Sequence, residues 1–404
     1  MIKITDKKDC CGCSACVQRC PKQCISLHED EEGFLYPVVD KEVCTQCGLC
    51  EKVCPIIHQE DSHEPLASYI AINRDEAIRL KSSSGGIFTL LAEAVIREGG
   101  VVFGARFDEA WNVVHDWTDT VDGLAPFRGS KYVQSRIGDT YREAKEFLKQ
   151  GRKVLFSGTP CQVAGLKRFL RKENDNLLAI DFICHGVPSP GVWQRYLSDF
   201  CASISSDEIP MISGVSFRDK RNGWKKYNFC LRYTSSSNSG EQEFIQPFME
   251  NPFMRGFLAD IYLRPSCYAC PAKSGKSGSD ITIADAWGIN KLAIDYDDDK
   301  GACYVLENTD KGSRSLQQLA FESYSVDMDN IKSYNPSYCS SSRPHSKRFQ
   351  FFKLYTKGTM PIIIIVQKFL SPNCFRKIVQ ELKNSLYSIK KSYRGLFINR
   401  KCND

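Results

Sequence analysis

No run of this 404-residue sequence approaches the roughly twenty apolar residues needed to cross a bilayer; Pro361 and the five aliphatic residues after it, Ile362 to Val366, fall well short. The apolar stretch of a secretory leader is missing too, because Lys3, Asp6 and Lys7 lead straight into cysteine-rich sequence. A cytoplasmic location is therefore expected, with a reducing environment and no disulfide scaffold. No nucleic-acid reading module is recognisable. What remains is an ordinary globular composition, 42% hydrophobic and 25% charged, in a length that suits two or three domains. Against that background the twenty cysteines read as ligands first.

Their placement is specific. Cys10, Cys13, Cys16 and Cys20-Pro21 spell C-x2-C-x2-C-x3-C-P, and thirty-four residues on Cys44, Cys47, Cys50 and Cys54-Pro55 spell it again. This is the bacterial ferredoxin arrangement for two [4Fe-4S] clusters, in which the last cysteine of each run serves the other cluster. Cys10, Cys13, Cys16 and Cys54 are assigned to one cluster, and Cys44, Cys47, Cys50 and Cys20 to its twin. Paired C-x2-C spacings also make zinc sites, but a zinc site has no need of a third cysteine at the next step and a fourth before proline, twice over. Cys11 and Cys24 match no ligand position and are expected to be packing residues.

Charge is uneven. From residue 340 onward there are fourteen Lys and Arg against Glu381 and Asp404, which leaves 40 basic against 46 acidic residues in the remainder. The tail alternates Phe369, Leu370, Ile378, Val379, Leu382, Leu386 and Ile389 with Lys368, Arg376, Lys377, Lys383, Lys390 and Lys391. It reads as a basic amphipathic helix, for an anionic membrane surface or for an acidic protein partner.

Residues 62–190 alternate strand and helix patterns. A strand at 69–72 is followed by the loop Ser82-Ser83-Ser84-Gly85-Gly86 and by Ile87, Leu90, Leu91, Ala94 and Val95 at helical spacing. A hairpin pair is expected at 101–104 and 111–117, a helix capped by Thr140 and Glu143, and a buried strand at 153–156. A second strand-turn-helix junction follows at 157–162 and a further strand at 177–184. Small residues before a helix suit anions, because free N–H groups of the first turn can approach a phosphate; a plain helix cap explains the same loop. A cofactor that collects electrons in pairs, such as a flavin, would make two one-electron clusters useful.

Four later cysteines suggest a third metal site. Cys161 opens a helix after Gly158-Thr159-Pro160, Cys184 ends a strand before His185-Gly186, and Cys267 and Cys270 form a C-x2-C pair. Helix N-termini favour thiolates, and the ends of parallel strands are where α/β folds gather functional groups. Buried packing of Cys161 and Cys184 is the alternative. Cys201, Cys230, Cys303, Cys339, Cys374 and Cys402 have no such context and are read as structural.

The ordered set 82–86, 129–135, 158–162, 184–190, 217–220 and 280–288 resembles the family of beta subunits of coenzyme F-420 hydrogenases and dehydrogenases over roughly 65–301. The resemblance implies a flavoprotein that binds FAD beside an iron-sulfur cluster. It implies that Ser83, Ser84, Gly85 and Gly86 hold FAD phosphates, that Lys131, Tyr132, Gln134 and Ser135 border the flavin, and that Gly158 and Thr159 lie near it. It also implies Cys161, Cys184, Cys267 and Cys270 as ligands of a third [4Fe-4S] cluster. Lys131 is placed to stabilise reduced flavin and His185 to donate a proton, although a surface lysine and a backbone-bonded histidine are the commoner fates.

The expected fold is α+β: a two-cluster ferredoxin domain at 1–60, an α/β flavin-binding region with a mixed sheet divided into 65–150 and 151–340, and a basic helical tail at 341–404. The expected function is an iron-sulfur flavoprotein oxidoreductase. It would take electrons from reduced ferredoxin, or another low-potential donor, through the clusters to FAD and on to a small organic hydride acceptor. The pocket for that acceptor would be built from 217–227 and 285–288, with Arg218, Lys225 and Lys226 as candidate grips for an anionic substrate. The ferredoxin-fused form of the family suggests a role in surface polysaccharide biosynthesis. The rival is an electron-transfer subunit of a larger hydrogenase or dehydrogenase complex without a substrate of its own.

Overall fold

The computed structural model describes residues 1–205, 209–235 and 238–370. Thirteen strands are described: β1 (Ile25–Glu29), β2 (Leu35–Val39), β3 (Ala67–Asn73), β4 (Val101–Phe107), β5 (Val113–Thr118), β6 (Val154–Ser157), β7 (Leu177–Phe182), β8 (Met211–Asp219), β9 (Asn228–Ser235), β10 (Asn238–Pro247), β11 (Ile281–Asp285), β12 (Cys303–Glu307) and β13 (Phe321–Ser325). Eight of them form one mixed sheet in the order β13-β3-β12-β11-β7-β6-β4-β5. The central pairs β4/β6, β6/β7 and β7/β11 are parallel, and both margins are antiparallel. The centre reads accordingly: Val101 to Phe103, Val154 to Phe156 and Leu177 to Ile180 are apolar without alternation and buried throughout, as parallel strands covered on both faces must be.

Helix Pro160–Leu170 returns the chain from β6 to β7. Its start is tightly specified: Thr159 and Gln162 form a reciprocal capping box and Pro160 takes the first helical position. Helix Ile87–Arg97 begins at Gly86, whose φ of +82° a side chain would strain. Helix Thr140–Lys149 departs from expectation. Thr140 is its first helical residue and turns its hydroxyl back to the Ile137 carbonyl at 2.8 Å, so it caps nothing. The cap comes from the N-terminal module, where Gln18 Oε1 accepts from the Tyr141 and Arg142 N–H groups at 3.0 and 3.1 Å.

That module holds the β1–β2 hairpin and the short helices Ala15–Arg19 and Leu49–Lys52. Its hairpin turn meets the start of helix Pro190–Ile204, where Gly33 approaches Gly191 too closely for a Cβ on either. Glu32 pairs with Arg348 across the same seam. The antiparallel sheet β10-β9-β8 and helices Pro190–Ile204 and Pro252–Leu258 share an aromatic core of Trp193, Tyr196, Phe217, Phe229 and Phe253. Helix Ile362–Leu370 packs Ile362, Ile365 and Val366 into that core, so the start of the basic tail is a core element. The remainder of the tail reading, from residue 371 on, lies outside the described residues. Among the described residues no helix is long and apolar enough to cross a membrane.

Candidate functional site

Each cysteine repeat curls its backbone the same way. Gly12 (φ +72°) and Ser14 (φ +60°) take the left-handed conformation in the first, and Gln46 (φ +54°) and Gly48 (φ +71°) at the equivalent positions in the second. Residues that differ in kind but agree in strained geometry show that the loop shape is required. Such curls turn successive N–H groups inward to form a nest of the sort that receives iron-sulfur sites. Cys16 is pushed up to about 12 by burial and by the Cys10, Cys54 and Cys50 thiols near it. Cys13 lies beside Cys16 and Cys54. Cys10, Cys13, Cys16 and Cys54 thus come together, while Cys20, Cys44, Cys47 and Cys50 line a second small cavity.

Cys24 packs in the buried cluster of that module with Ile2 and Ile25 and borders the second cavity, with its Sγ 3.3 Å from Cys20. Among the described residues no three His, Cys, Asp or Glu side chains converge as closely as one metal ion would draw them. A cubane spaces its thiolates more widely than a single ion does, and thiol-only donor sets suit iron-sulfur clusters.

The later cysteines assemble at the C-terminal ends of the parallel strands. Burial raises the Cys184 thiol well above its ordinary range, and the Cys267, Cys161 and Cys270 thiols beside it push the same way. Cys267 is pushed up to about 12 by burial, with Cys161 and Cys270 beside it. Lys273 braces the set by donating to the Cys184 and Ser337 carbonyls at 2.5 and 2.6 Å. Metal binding would deprotonate these thiols and so reverse their raised pKa values. Cys11 lies between the two regions, buried in one cluster with Cys13 while Cys161 packs against that cluster, and the Cys13 thiol beside it and burial raise its own thiol pKa. Sequence spacing offered no signal for that juxtaposition.

A cavity of about 470 Å³ opens against Cys184. Ser83, Ser84, Gly86, Lys131, Tyr132, Ser135, Gly158, Thr159 and His185 line it. Gly85 does not: it is pressed against the Ala71 carbonyl and Cys303, whose Sγ accepts from the Gly85 N–H at 3.1 Å. Cys303 therefore shapes the serine loop and also lines the cavity. Gln134 points the other way and donates to the Cys11 carbonyl at 2.9 Å, so it serves the N-terminal module. Ser83 meets Ser130 at 2.8 Å, which joins the two polar loops at the mouth of helix Ile87–Arg97.

Two lysines bear on this pocket. Lys131 donates to the Pro126 and Arg128 carbonyls at 2.7 and 2.9 Å, and burial brings its pKa down to about 7. Lys220, part of the 217–220 run but given no role from sequence, donates to the carbonyls of Arg79, Ser84 and Lys300 at 2.8–3.0 Å and is also lowered to about 7, chiefly by burial. His115, a further residue that sequence reasoning missed, stacks on Phe156 and faces the Ser157 carbonyl at 3.0 Å. Burial lowers its pKa to about 4, so it is neutral.

The far wall is built around Arg218. Its guanidinium grips Asp285 at 2.8 and 3.2 Å, donates to the Tyr132 hydroxyl at 3.1 Å and lies over the Tyr227 ring. Trp224 stacks on Trp287 at 4.8 Å and donates to Asp285. Segments 217–227 and 285–288 do meet, and Arg218 lines the cavity. Lys225 and Lys226 do not line it; Lys225 is held by Asp297 outside. His185 Nε2 lies 2.6 Å from Asp260, with its ring edge-on to Phe257.

Thiol-bearing nests on a ferredoxin-like module, docked against an α/β core with a pocket at its strand ends, define an iron-sulfur protein of the redox class. Residues 9–56 match the 4Fe-4S dicluster domain, and residues 151–333 match the C terminus of the coenzyme F420 hydrogenase/dehydrogenase beta subunit. Residues 151–333 thus carry the C-terminal domain of that family of beta subunits, with a 4Fe-4S dicluster domain at their N-terminal side. It is 24% identical over 224 residues to the F subunit of the F(420)H(2) dehydrogenase of Methanosarcina mazei, covering 52% of this chain and 60% of that protein. The ferredoxin region is 43% identical over 65 residues to the 7Fe ferredoxin of Hydrogenibacillus schlegelii, covering 15% of this chain and 77% of the ferredoxin. A chain of the F420-reducing [NiFe] hydrogenase complex from Methanosarcina barkeri aligns with a TM-score of 0.45 at 17% identity, over 69% of this chain and 91% of that one.

Proposed function

We propose that this chain carries single electrons from a low-potential donor such as reduced ferredoxin, through two N-terminal [4Fe-4S] clusters and a third at Cys161, Cys184, Cys267 and Cys270, to FAD in the 470 Å³ cavity. From there a hydride equivalent passes to a small organic acceptor. One observation carries the reading: the thiol sets follow one another toward the cavity. Cys11 and Cys13 of the ferredoxin module share one buried cluster against which Cys161 of the third set packs, and Cys184 of that third set forms part of the cavity wall.

When bound, FAD exchanges electrons singly with clusters and in pairs with organic substrates. The chain's own groups do the rest. Ser83, Ser84 and the first turn after Gly86 offer hydroxyls and free N–H groups to phosphates. Lys131 offers positive charge, and Tyr132 with Phe257, stacked at 4.8 Å, offers a flat apolar wall. His185, oriented by Asp260, stands at the cavity as the group able to deliver a proton to the acceptor.

Anaerobic purification with iron, sulfide and flavin counting tests the proposal. About twelve irons and one FAD per chain are expected. About eight irons would remove the third cluster, and colourless zinc-bearing protein would remove the whole reading. Because the Methanosarcina mazei relative is itself a subunit, obligate copurification with a second polypeptide would favour the electron-transfer subunit over the stand-alone enzyme.

A further inference from the structure

Arg264 is 1% exposed and lies where the ferredoxin module meets the core. A buried guanidinium keeps its charge at any accessible pH, and an unpaired buried charge is costly enough that native proteins supply a counter-charge. Among the described residues no carboxylate forms an ion pair with Arg264. Its Nε donates to the Cys10 carbonyl at 2.7 Å, one terminal nitrogen donates to Gln134 at 2.8 Å, and the other donates to the Leu35 carbonyl at 2.9 Å. That last nitrogen also faces Cys10 Sγ at 3.6 Å. The plane lies over Tyr36 at 4.3 Å and Phe34 at 5.4 Å, whose faces favour a cation. The guanidinium is thus held by neutral carbonyl, amide and aromatic partners, and beside them it meets the sulfur of Cys10.

The same residue reaches toward the third set through its backbone. The Arg264 carbonyl accepts from the Cys267 N–H at 2.9 Å and so fixes the turn Pro265–Ala269 that carries Cys267. Gln134 extends the contact by donating to the Cys11 carbonyl.

We infer that Arg264 is the counter-charge of the cluster held by Cys10, Cys13, Cys16 and Cys54, a positioning residue that raises the reduction potential of that cluster and ties it to the third set. The inference rests on the cluster assignment proposed above. An iron-sulfur cluster with its thiolates is anionic and becomes more so on reduction. A buried cation with a hydrogen bond to a ligand sulfur therefore favours the reduced form, since charge and hydrogen bonding at the sulfurs are among the terms that set cluster potential. Raised potential at this cluster would draw electrons onto the one nearest the core.

The test is an EPR-monitored redox titration of full-length, anaerobically purified protein, with Arg264→Lys and Arg264→Met beside the native chain. Lysine keeps the charge but loses the planar fork, and methionine loses both. The expected result is a full iron load with one cluster moved to lower potential, further in the methionine variant, and the other clusters unmoved. Full iron load with every potential unchanged would overturn the inference. If both variants lose iron, native protein grown on 15N-arginine decides: a 15N coupling on the reduced cluster by ENDOR supports it, and none overturns it. Native protein without any cluster signal would instead refute the cluster assignment.

Discussion

Gln18 caps a helix that begins more than a hundred residues further along the chain: its Oε1 accepts from Tyr141 N–H at 3.0 Å. The same side chain accepts from Arg142 N–H at 3.1 Å, and Arg142 returns a bond to the Gln18 carbonyl. The ferredoxin module is thereby built into the core fold. Gln18→Ala should cost about 1–2 kcal/mol, the usual penalty for a lost cap. Hydrogen exchange should quicken in residues 140–149 before it does elsewhere, and an unchanged melting temperature with unchanged protection there would refute this role.

Gly165 lets helix Pro160–Leu170 approach the first cysteine loop. A Cβ there would lie 2.9 Å from Cys13 Cβ, 3.0 Å from its Sγ and 3.0 Å from the Tyr141 hydroxyl. None of these neighbours is the free end of a flexible chain. Gly165→Ala should displace the Cys13 loop and lower iron occupancy in the N-terminal module, with a stability loss of about 1–3 kcal/mol from overpacking. Native iron content and a native melting temperature would contradict it.

Cys184→Ser removes a thiol from the set that borders the cavity. Iron should fall by about four atoms per chain, with the two N-terminal cluster signals kept. Flavin reduction by a protein donor should then slow much more than its reduction by dithionite, and equal rates by both routes would show that electrons bypass Cys184.

Lys131 gives a pH signature. Burial holds its pKa near 7, and an anionic group bound beside it would raise that value again. Flavin binding should then be strongest below about pH 7. It should weaken as pH rises through 7, up to about tenfold per unit, until the pKa of the complex is reached. Lys131→Met should bind weakly at every pH and show a flat profile. Fluorescence titration from about pH 6 to pH 9 checks this, and parallel profiles for the two proteins would rule it out.

Asp285 neutralises Arg218, whose side chain is 2% exposed. Asp285→Ala leaves a buried guanidinium without its partner and should cost about 3–5 kcal/mol. Replacing both residues by apolar ones of similar size should recover much of the loss. Thermal unfolding of the three variants separates the cases: a double variant no better than the single one would show that the pair contributes by more than cancelling its own charges.

How much was legible in the sequence follows from how local each feature is. The thiol nests and the strand-loop-helix run at 69–97 could be read directly, because two-residue gaps between ligands and apolar periodicity are written along the chain. Gly85 and Gln134 were misplaced for one reason: a motif says which residues lie near a site and not which way each faces. Gly85 turns to Cys303 and Gln134 to Cys11.

Sequence by itself determined the ligand chemistry, the parallel core strands and the serine-glycine loop, since these depend on spacing and composition within a few turns of chain. Only the tertiary structure decided that Cys161 packs against the buried cluster of Cys11 and Cys13, that Gln18 caps a distant helix, and that Arg264 meets Cys10 across 254 positions. Contacts of that kind arise when whole faces pack and buried polar groups must find partners wherever the fold brings them, and no local pattern records where that will be.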